Sequence, residues 1–325
     1  MKKIGVFGAC ALSRKHIENI LKLKDKFELI GFFDPDPILC IECENKFNIK
    51  RFASYEDLIH SIDVVDIVSP ILPAHDLAEL SFKSSKHVFI EKPARYTLEQ
   101  TKRLMSLSEE ANVKVQVGNI ERFNPAFLSA FPHMALPMFI EVERISVFDP
   151  TQKDFCVIQD LMIHDINIVL KIVPSNVKRI TTSGVPIVNG RPDIANVRLE
   201  FDNGAVANLT ASRIAFKNVQ RMRVFQKNRY ISIDYGKKTC KVFQLVDKDS
   251  SKQAQPFPLN TTFQNKEIQL LEPDIKNSNA IIEELKSFSD SIDNDIEPLT
   301  NLADGYRSLT VAMQVINKIE KNVLV

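Results

Sequence analysis

The sequence predicts an α/β fold: an N-terminal doubly wound parallel sheet, then a C-terminal α+β domain with a large, mostly antiparallel sheet. Three observations carry this. The chain opens on an apolar run, Ile4-Gly5-Val6-Phe7, that turns at Gly8 into a stretch of helical spacing from Arg14 to Leu23. Through the first third, short apolar runs alternate with helical stretches, as in βαβ units. Beyond Gly118, strand-like segments follow one another with no helices between them, as in antiparallel sheets. With 325 residues the chain is long for one core. Two domains are therefore expected, 1–118 and 119–325.

The first strand is Ile4–Phe7 and its helix Arg14–Leu23. FELIGFF, Phe27–Phe33, is the second strand and ends at Asp34; helix Ile38–Phe47 follows. A short segment near Arg51-Phe52 leads to Ser54, a cap for helix Tyr55–Ser61. VVDIV (Val64–Val68) and HVFI (His87–Ile90) are strands separated by helix Leu77–Ser84. HVFI stops at Glu91-Lys92-Pro93. Thr97 opens a helix through Asn112, and Lys114–Val117 closes the parallel series. This first domain therefore has the Rossmann pattern.

In the second part, helix Asn124–Phe131 precedes a break at Pro132 and Pro137. Phe139–Phe148 alternates as a strand and Gln159–Val173 has helical spacing. Strands are then expected over Lys178–Ile187, Ala195–Phe201, Ala205–Ser212, Arg221–Phe225, Tyr230–Tyr235 and Lys241–Val246. Asp202-Asn203-Gly204 is a hairpin turn between two of them. Ser250–Pro258 is a polar loop, and Ile275–Ile292 and Asp304–Ile319 are helices.

Net charge is +1, with no long like-charge run, which argues against nucleic acid or an anionic membrane as partner. No apolar segment is long enough to span a bilayer, and a cytoplasmic location is expected. Five scattered cysteines fit reduced thiols better than a disulfide framework. Cys40 and Cys43 form one C-x-x-C inside a helix with no second pair, so no metal site is expected.

A strand, a glycine turn and a helix N-terminus together can hold a pyrophosphate. The usual fingerprint is G-x-G-x-x-G. Here Gly8 is present, but Cys10 and Ser13 replace the other two glycines. A Cys10 side chain would crowd the pyrophosphate unless the loop shifts outward, whereas a Ser13 hydroxyl can cap the helix or bond a phosphate. Asp34, at the end of the second strand, can accept both hydroxyls of an adenosine ribose and would repel a 2′-phosphate, favouring NAD over NADP. Lys92, at a strand end, can donate to a substrate oxygen. Asp160 and His164 lie four apart on one helix face, suited to shared proton work. Arg122, in the run NIERFNP, can pair with a carboxylate or phosphate.

With Glu91-Lys92-Pro93 and the D-x-x-x-H pair Asp160–His164, the chain resembles the glucose–fructose oxidoreductase / inositol dehydrogenase (Gfo/Idh/MocA) family over nearly its whole length. Gly118-Asn119-Ile120-Glu121-Arg122-Phe123-Asn124-Pro125 and Asp160-Leu161-Met162-Ile163-His164-Asp165 are similar to the subgroup that includes UDP-N-acetylglucosamine 3-dehydrogenase. That subgroup usually carries His where Asn119 stands; Asn cannot transfer a proton. The resemblance implies an NAD-dependent oxidoreductase acting on a carbinol of a sugar, cyclitol or nucleotide sugar. It assigns Lys92, Asp160 and His164 to catalysis, and Asn119, Arg122, Phe123 and Asn124 to substrate. It assigns Gly8, Cys10, Leu12, Ser13, Asp34, Ser69, Pro70, His75, Glu91 and Lys92 to the cofactor. A homodimer or homotetramer is implied, since the family's second-domain sheet often makes the oligomer contact. The degenerate glycine loop motivates a contrary reading: the same fold kept as a ligand-binding or regulatory protein with little turnover.

Overall fold

The computed structural model describes residues 1–69, 72–91, 96–149, 156–188, 190–247 and 266–323. The expected Ser250–Pro258 loop lies outside them. The described chain forms two compact units. The first is Met1–Ile120 with Asn279–Tyr306; the second is Glu121–Ser278 with Arg307–Val325. The stretch Asn279–Tyr306 thus returns to the first unit, whereas a division at 118 and 119 leaves it in the second.

The first unit is built on a parallel sheet of β1 (Lys2–Phe7), β2 (Phe27–Phe33), β3 (Val64–Ile67), β4 (His87–Ile90) and β5 (Val115–Val117), in the order β2-β1-β3-β4-β5. The expected segment at Arg51 is only an isolated bridge to Phe32. These strands are short and apolar because both faces are covered. One face packs Leu58 of α3 (Tyr55–His60), Leu77 and Phe82 of α4 (Ala74–Lys83) and Leu104 of α5 (Leu98–Glu110) against Phe7, Val65 and Ile67. The other packs Val6, Phe32 and Phe89 against Ile17 and Ile20 of α1 (Ala11–Ile20) and Leu285 and Phe288 of α8 (Ala280–Asp293). Leu285 and Phe288 are fully buried, each worth roughly 1.5–3 kcal/mol of transfer free energy. That burial is why α8, far away in sequence, belongs here. Helix α8 starts later than the expected Ile275, where Asn279 accepts from the Ile281 N–H at 3.0 Å. Thr97 and Gln100 form a reciprocal capping box on α5.

The strand order turns around between β1 and β3. In open α/β sheets such a switch point places the ligand crevice outside the carboxyl ends of those strands. Gly8 and Val68 sit at those two ends.

The second unit carries an eight-stranded sheet ordered β13-β12-β11-β10-β6-β9-β8-β7. Its strands are β6 (Phe139–Ile145), β7 (Val177–Pro186), β8 (Pro192–Phe201), β9 (Val206–Ser212), β10 (Val219–Gln226), β11 (Arg229–Asp234), β12 (Thr239–Asp247) and β13 (Lys266–Leu271). Among the described strands of this sheet, only β6 and β9 pair in parallel. Burial alternates along β6 and β8, so one face of the sheet is covered and the other open. β13 was not expected from the sequence: Lys-Glu-Ile-Gln-Leu-Leu lacks the β-branched density of its neighbours, and its pairing with β12 forms it. Helix α6 (Pro125–Ala130) is capped by Asn124. The expected Gln159–Val173 helix begins as a π-helical turn, Ile158–Met162, and continues as α7 (Ile163–Ile172). The last helix, α9 (Leu302–Val323), runs longer than expected at both ends. Among the described residues, no helix is long and apolar enough to cross a membrane.

Candidate active site

Gly8 has φ +133, a conformation that L side chains rarely adopt. A Cβ there would meet Ser13 Oγ at 2.6 Å and the Val68 carbonyl oxygen at 2.7 Å. This glycine is required by both backbone and space. The two departures from the fingerprint prove to be partners. Ser13 is fully buried and its hydroxyl donates to the Val68 carbonyl at 2.7 Å. The Cys10 Sγ lies 3.2 Å from Ser13 Oγ and 3.6 Å from the same carbonyl. Two expectations are therefore corrected. The Cys10 thiol is turned back toward β3, and the Ser13 hydroxyl ties α1 to the end of β3 instead of capping the helix or facing a phosphate. Cys10 occupies the N-cap position without a side-chain capping bond, so the first turn of α1, with half-buried Leu12, keeps its N–H groups for an anion.

Asp34 is buried at the end of β2. Its Oδ2 accepts from the Ala9 N–H at 2.8 Å and its Oδ1 from the Asp36 N–H at 2.9 Å. It thus braces the glycine loop, and a carboxylate's roughly four acceptor positions leave room for hydroxyls. Asp36 caps α2 (Pro37–Phe47). Cys40 and Cys43 are buried in the α1-side core; burial pushes both thiols up, Cys43 to about 11, the reverse of a metal-binding or redox-active pair. Ser69 accepts from the Leu72 N–H at 3.3 Å. His75 stands in the first turn of α4, 3.2 Å from Asp76 and 3.5 Å from Glu79, its ring edge-on to Tyr96. Pro70 and Lys92 lie outside the described residues.

Behind the cradle is a charged cluster not anticipated from the sequence. His16 of α1 is buried, with Nδ1 3.0 Å from Asp66 Oδ2 and Nε2 3.8 Å from Glu91 Oε2. Asp66 is fully buried in β3. Glu284 of α8 is also buried, and its Oε1 accepts from the Asn119 N–H at 2.7 Å. Burial alone would lower the His16 pKa, but the Asp66, Glu91 and Glu284 charges outweigh it and raise it to about 9. Burial and then the Glu91 charge push Glu284 up. Asp66, an acid at the centre of the apolar run VVDIV, was the visible signal for this cluster.

In the second unit, Asp160 sits on the π turn and His164 is the second residue of α7; both are half-buried. Residues four apart stay on one side of the helix, since a turn takes about 3.6 residues in α geometry and more in π. The next residue, Asp165, points into the protein. Arg144 of β6 donates to its two oxygens from Nε and Nη2, each at 2.8 Å, and from Nη1 to Glu121 at 2.9 Å. One guanidinium thus fixes both the turn Ile120–Phe123 and the helix that carries His164.

The residues assigned to substrate separate into two kinds. Asn119 and Arg122 are buried, and Asn119 Oδ1 has no hydrogen-bond partner among the described residues. Phe123 and Asn124, also assigned to substrate, are held within the turn. Phe123 is buried, and the Asn124 side chain accepts from the Ala126 N–H and donates to the Tyr235 carbonyl and Glu121. Both serve the turn itself.

Residues 2–119 match the model of an oxidoreductase family with an NAD-binding Rossmann fold, and residues 117–231 match the GFO/IDH/MocA C-terminal domain. UDP-N-acetylglucosamine 3-dehydrogenase of Acidithiobacillus ferrooxidans is 30% identical over 242 residues, 74% of this chain and 76% of that protein. The chain belongs to the GFO/IDH/MocA oxidoreductase family. Within that family, the solved structure of the Acidithiobacillus enzyme matches it with a TM-score of 0.88 at 27% identity over 98% of both chains. Myo-inositol 2-dehydrogenase of Thermotoga maritima is 25% identical over 98% of this chain and 96% of its own. As a GFO/IDH/MocA protein the chain is a dehydrogenase acting on CH–OH groups, and its first unit is the nicotinamide-dinucleotide domain.

Proposed function

We propose that this dehydrogenase uses NAD and acts on the C3 carbinol of a sugar nucleotide of the UDP-N-acetylglucosamine type. The observation that carries the reading is the likeness to the Acidithiobacillus enzyme over 98% of the chain, joined to the motifs NIERFNP and DLMIHD. Asp34 and Asp36 favour NAD, since two carboxylates at the end of β2 would repel a 2′-phosphate. The turn at Gly8 and the first turn of α1 would hold the pyrophosphate. When bound, the nicotinamide takes up or returns the hydride. Oxidation of the carbinol releases its C–H as hydride and its O–H as a proton, leaving a ketone. An imidazole nitrogen of His164 takes that proton, and Asp160 orients the ring or the substrate hydroxyl. Lys92 enters on the sequence alone, as a cation for the developing alkoxide. Asn119 offers hydrogen bonds but no acid–base step.

The closed contact of Cys10, Ser13 and Val68 weighs against a damaged loop and so against a protein of little turnover. Titrating the protein with NADH and following its fluorescence tests the cofactor; no binding at millimolar NADH rejects the reading. NAD reduction with UDP-N-acetylglucosamine, free sugars and inositol then tests the substrate. A higher kcat/KM on inositol would replace the sugar nucleotide. The loop adds a paired expectation. Gly8→Ala should weaken NADH binding at least about tenfold, because it loads the strain of a positive φ onto the cradle. Cys10→Gly should stay within about threefold, because the thiol already points inward; a marked tightening would show that it obstructs the cofactor.

The open face of the eight-stranded sheet carries a ring row, Phe139–Phe225–Tyr230–Phe243, with centroid spacings of 5.9, 4.9 and 5.3 Å. This row supports a homo-oligomer formed through that face. A monomer mass by light scattering at micromolar concentration would reject it.

A further inference from the structure

We propose that His16 is a positioning residue for the reaction: seated on Asp66, its ring holds the Glu91 carboxylate against Gly118 and thereby fixes the strand end to which Lys92 is joined. The geometry behind this lies wholly within the first unit. His16 lies on α1, the helix that follows the glycine loop, and is almost completely excluded from solvent. It bridges Asp66 at 3.0 Å and Glu91 at 3.8 Å. A buried acid and a buried imidazole bonded to each other keep both charges only as a pair. The Glu91 carboxylate is folded back over Gly118: a Cβ on Gly118 would overlap Glu91 Oε2 and lie 2.6 Å from the Glu91 carbonyl. Backbone bonds close the same corner, from Glu91 N–H to Ile67 at 3.0 Å and from Gly118 N–H to Ile90 at 2.7 Å.

The charges facing His16 come from three elements: Asp66 on β3, Glu91 at the end of β4 and Glu284 on α8. Three acids against one cation need a proton, and Glu284 is the group whose pKa burial raises. With His16 and Glu284 protonated, His16 is a cation facing Asp66 and Glu91. Raising the pH through about 8 adds the Glu284 carboxylate and through about 9 removes the His16 cation, so the hold on Glu91 weakens by repulsion. A neutral side chain at position 16 would fail in the same way at any pH. The result would be a loosened strand end ahead of Lys92 with the nucleotide loop, braced by Asp34 and Val68, left in place.

The test compares wild type, His16→Gln and Glu284→Gln as full chains, by native-state hydrogen exchange and by kinetics. In His16→Gln the Glu91 and Gly118 amides should exchange at least about tenfold faster, while the slowest amides of β1 stay within about twofold. Uniform acceleration throughout the unit, or none at Glu91 and Gly118, overturns the proposal. If His16→Gln does not fold, Glu284→Gln decides. At about pH 9, after correction for intrinsic exchange, its Glu91 amide should be the better protected, because the added carboxylate is gone. Protection equal to wild type overturns the proposal. The kinetic arm rests on the dehydrogenase reading. There His16→Gln should lower kcat at least about tenfold with NADH affinity and sugar KM within about threefold; a larger effect on KM than on kcat counts against positioning. Wild type inert on every sugar would reject the dehydrogenase reading and leave the exchange result standing.

Discussion

Replacing His164 by Ala is expected to lower kcat on the sugar nucleotide by at least about a hundredfold, the scale of a lost general base or acid. Hydride cannot leave the carbinol carbon unless its hydroxyl proton leaves too, and imidazole is the side chain whose ordinary titration lies nearest neutral pH. His164 is half-buried near the start of α7, beside Asp165, which pairs with Arg144 in the interior. Truncation at 164 should therefore cost the fold little, and a thermal scan should move by a few degrees at most. NADH affinity should stay within about threefold, because the cradle residues Gly8 and Asp34 belong to the first unit. Steady-state kinetics with NADH titration checks all three. A loss under about tenfold in kcat would move the acid–base role to another group. Asp160→Asn should cost less, since it leaves the imidazole in place.

Much of this was readable in the sequence. Strand–helix alternation up to Gly118 and the hairpin at Asp202-Asn203-Gly204 placed the two kinds of sheet, because periodicity reports which faces are buried. It does not report what buries them. Ile281, Leu285 and Phe288 form an ordinary apolar stripe, and nothing local says that they cover the parallel sheet. The glycine loop shows the same limit. Cys10 and Ser13 look like lost glycines until Val68, on another strand, is placed beside them. His16 looks like one polar residue on an amphipathic helix. Its partners Asp66, Glu91 and Glu284 come from three other elements, and only packing unites them. The helical placement of Asp160 and His164 was legible because it is local: four residues fix a helix face. The π turn beneath it was not, because apolar spacing does not distinguish a single π turn from α geometry.

The largest effect on stability is expected from Arg144→Met. The Arg144 guanidinium sits in a buried site with Asp165 and Glu121 as its partners. Burial pushes the Asp165 carboxyl up, and Arg144 opposes this through its charge and two 2.8 Å bonds. Methionine fills similar space but leaves two buried carboxylates facing each other, so unfolding should become easier by about 3–5 kcal/mol. Most of this is the penalty of uncompensated charge and not the worth of the bridge. The double change Arg144→Met, Asp165→Asn should therefore recover at least about 1 kcal/mol over Arg144→Met alone, although it restores no ion pair. Urea denaturation of the three proteins, comparing midpoints at equal slope, separates the cases. Recovery would assign the cost to the stranded carboxylates; a double change as unstable as the single would mean that the lost guanidinium contacts themselves carry it. Activity sharpens the distinction. The same guanidinium ties the turn before Phe123 to the helix of His164, so the double change should regain stability without regaining kcat. A protein that recovered both would show that the turn and the helix hold their places without Arg144.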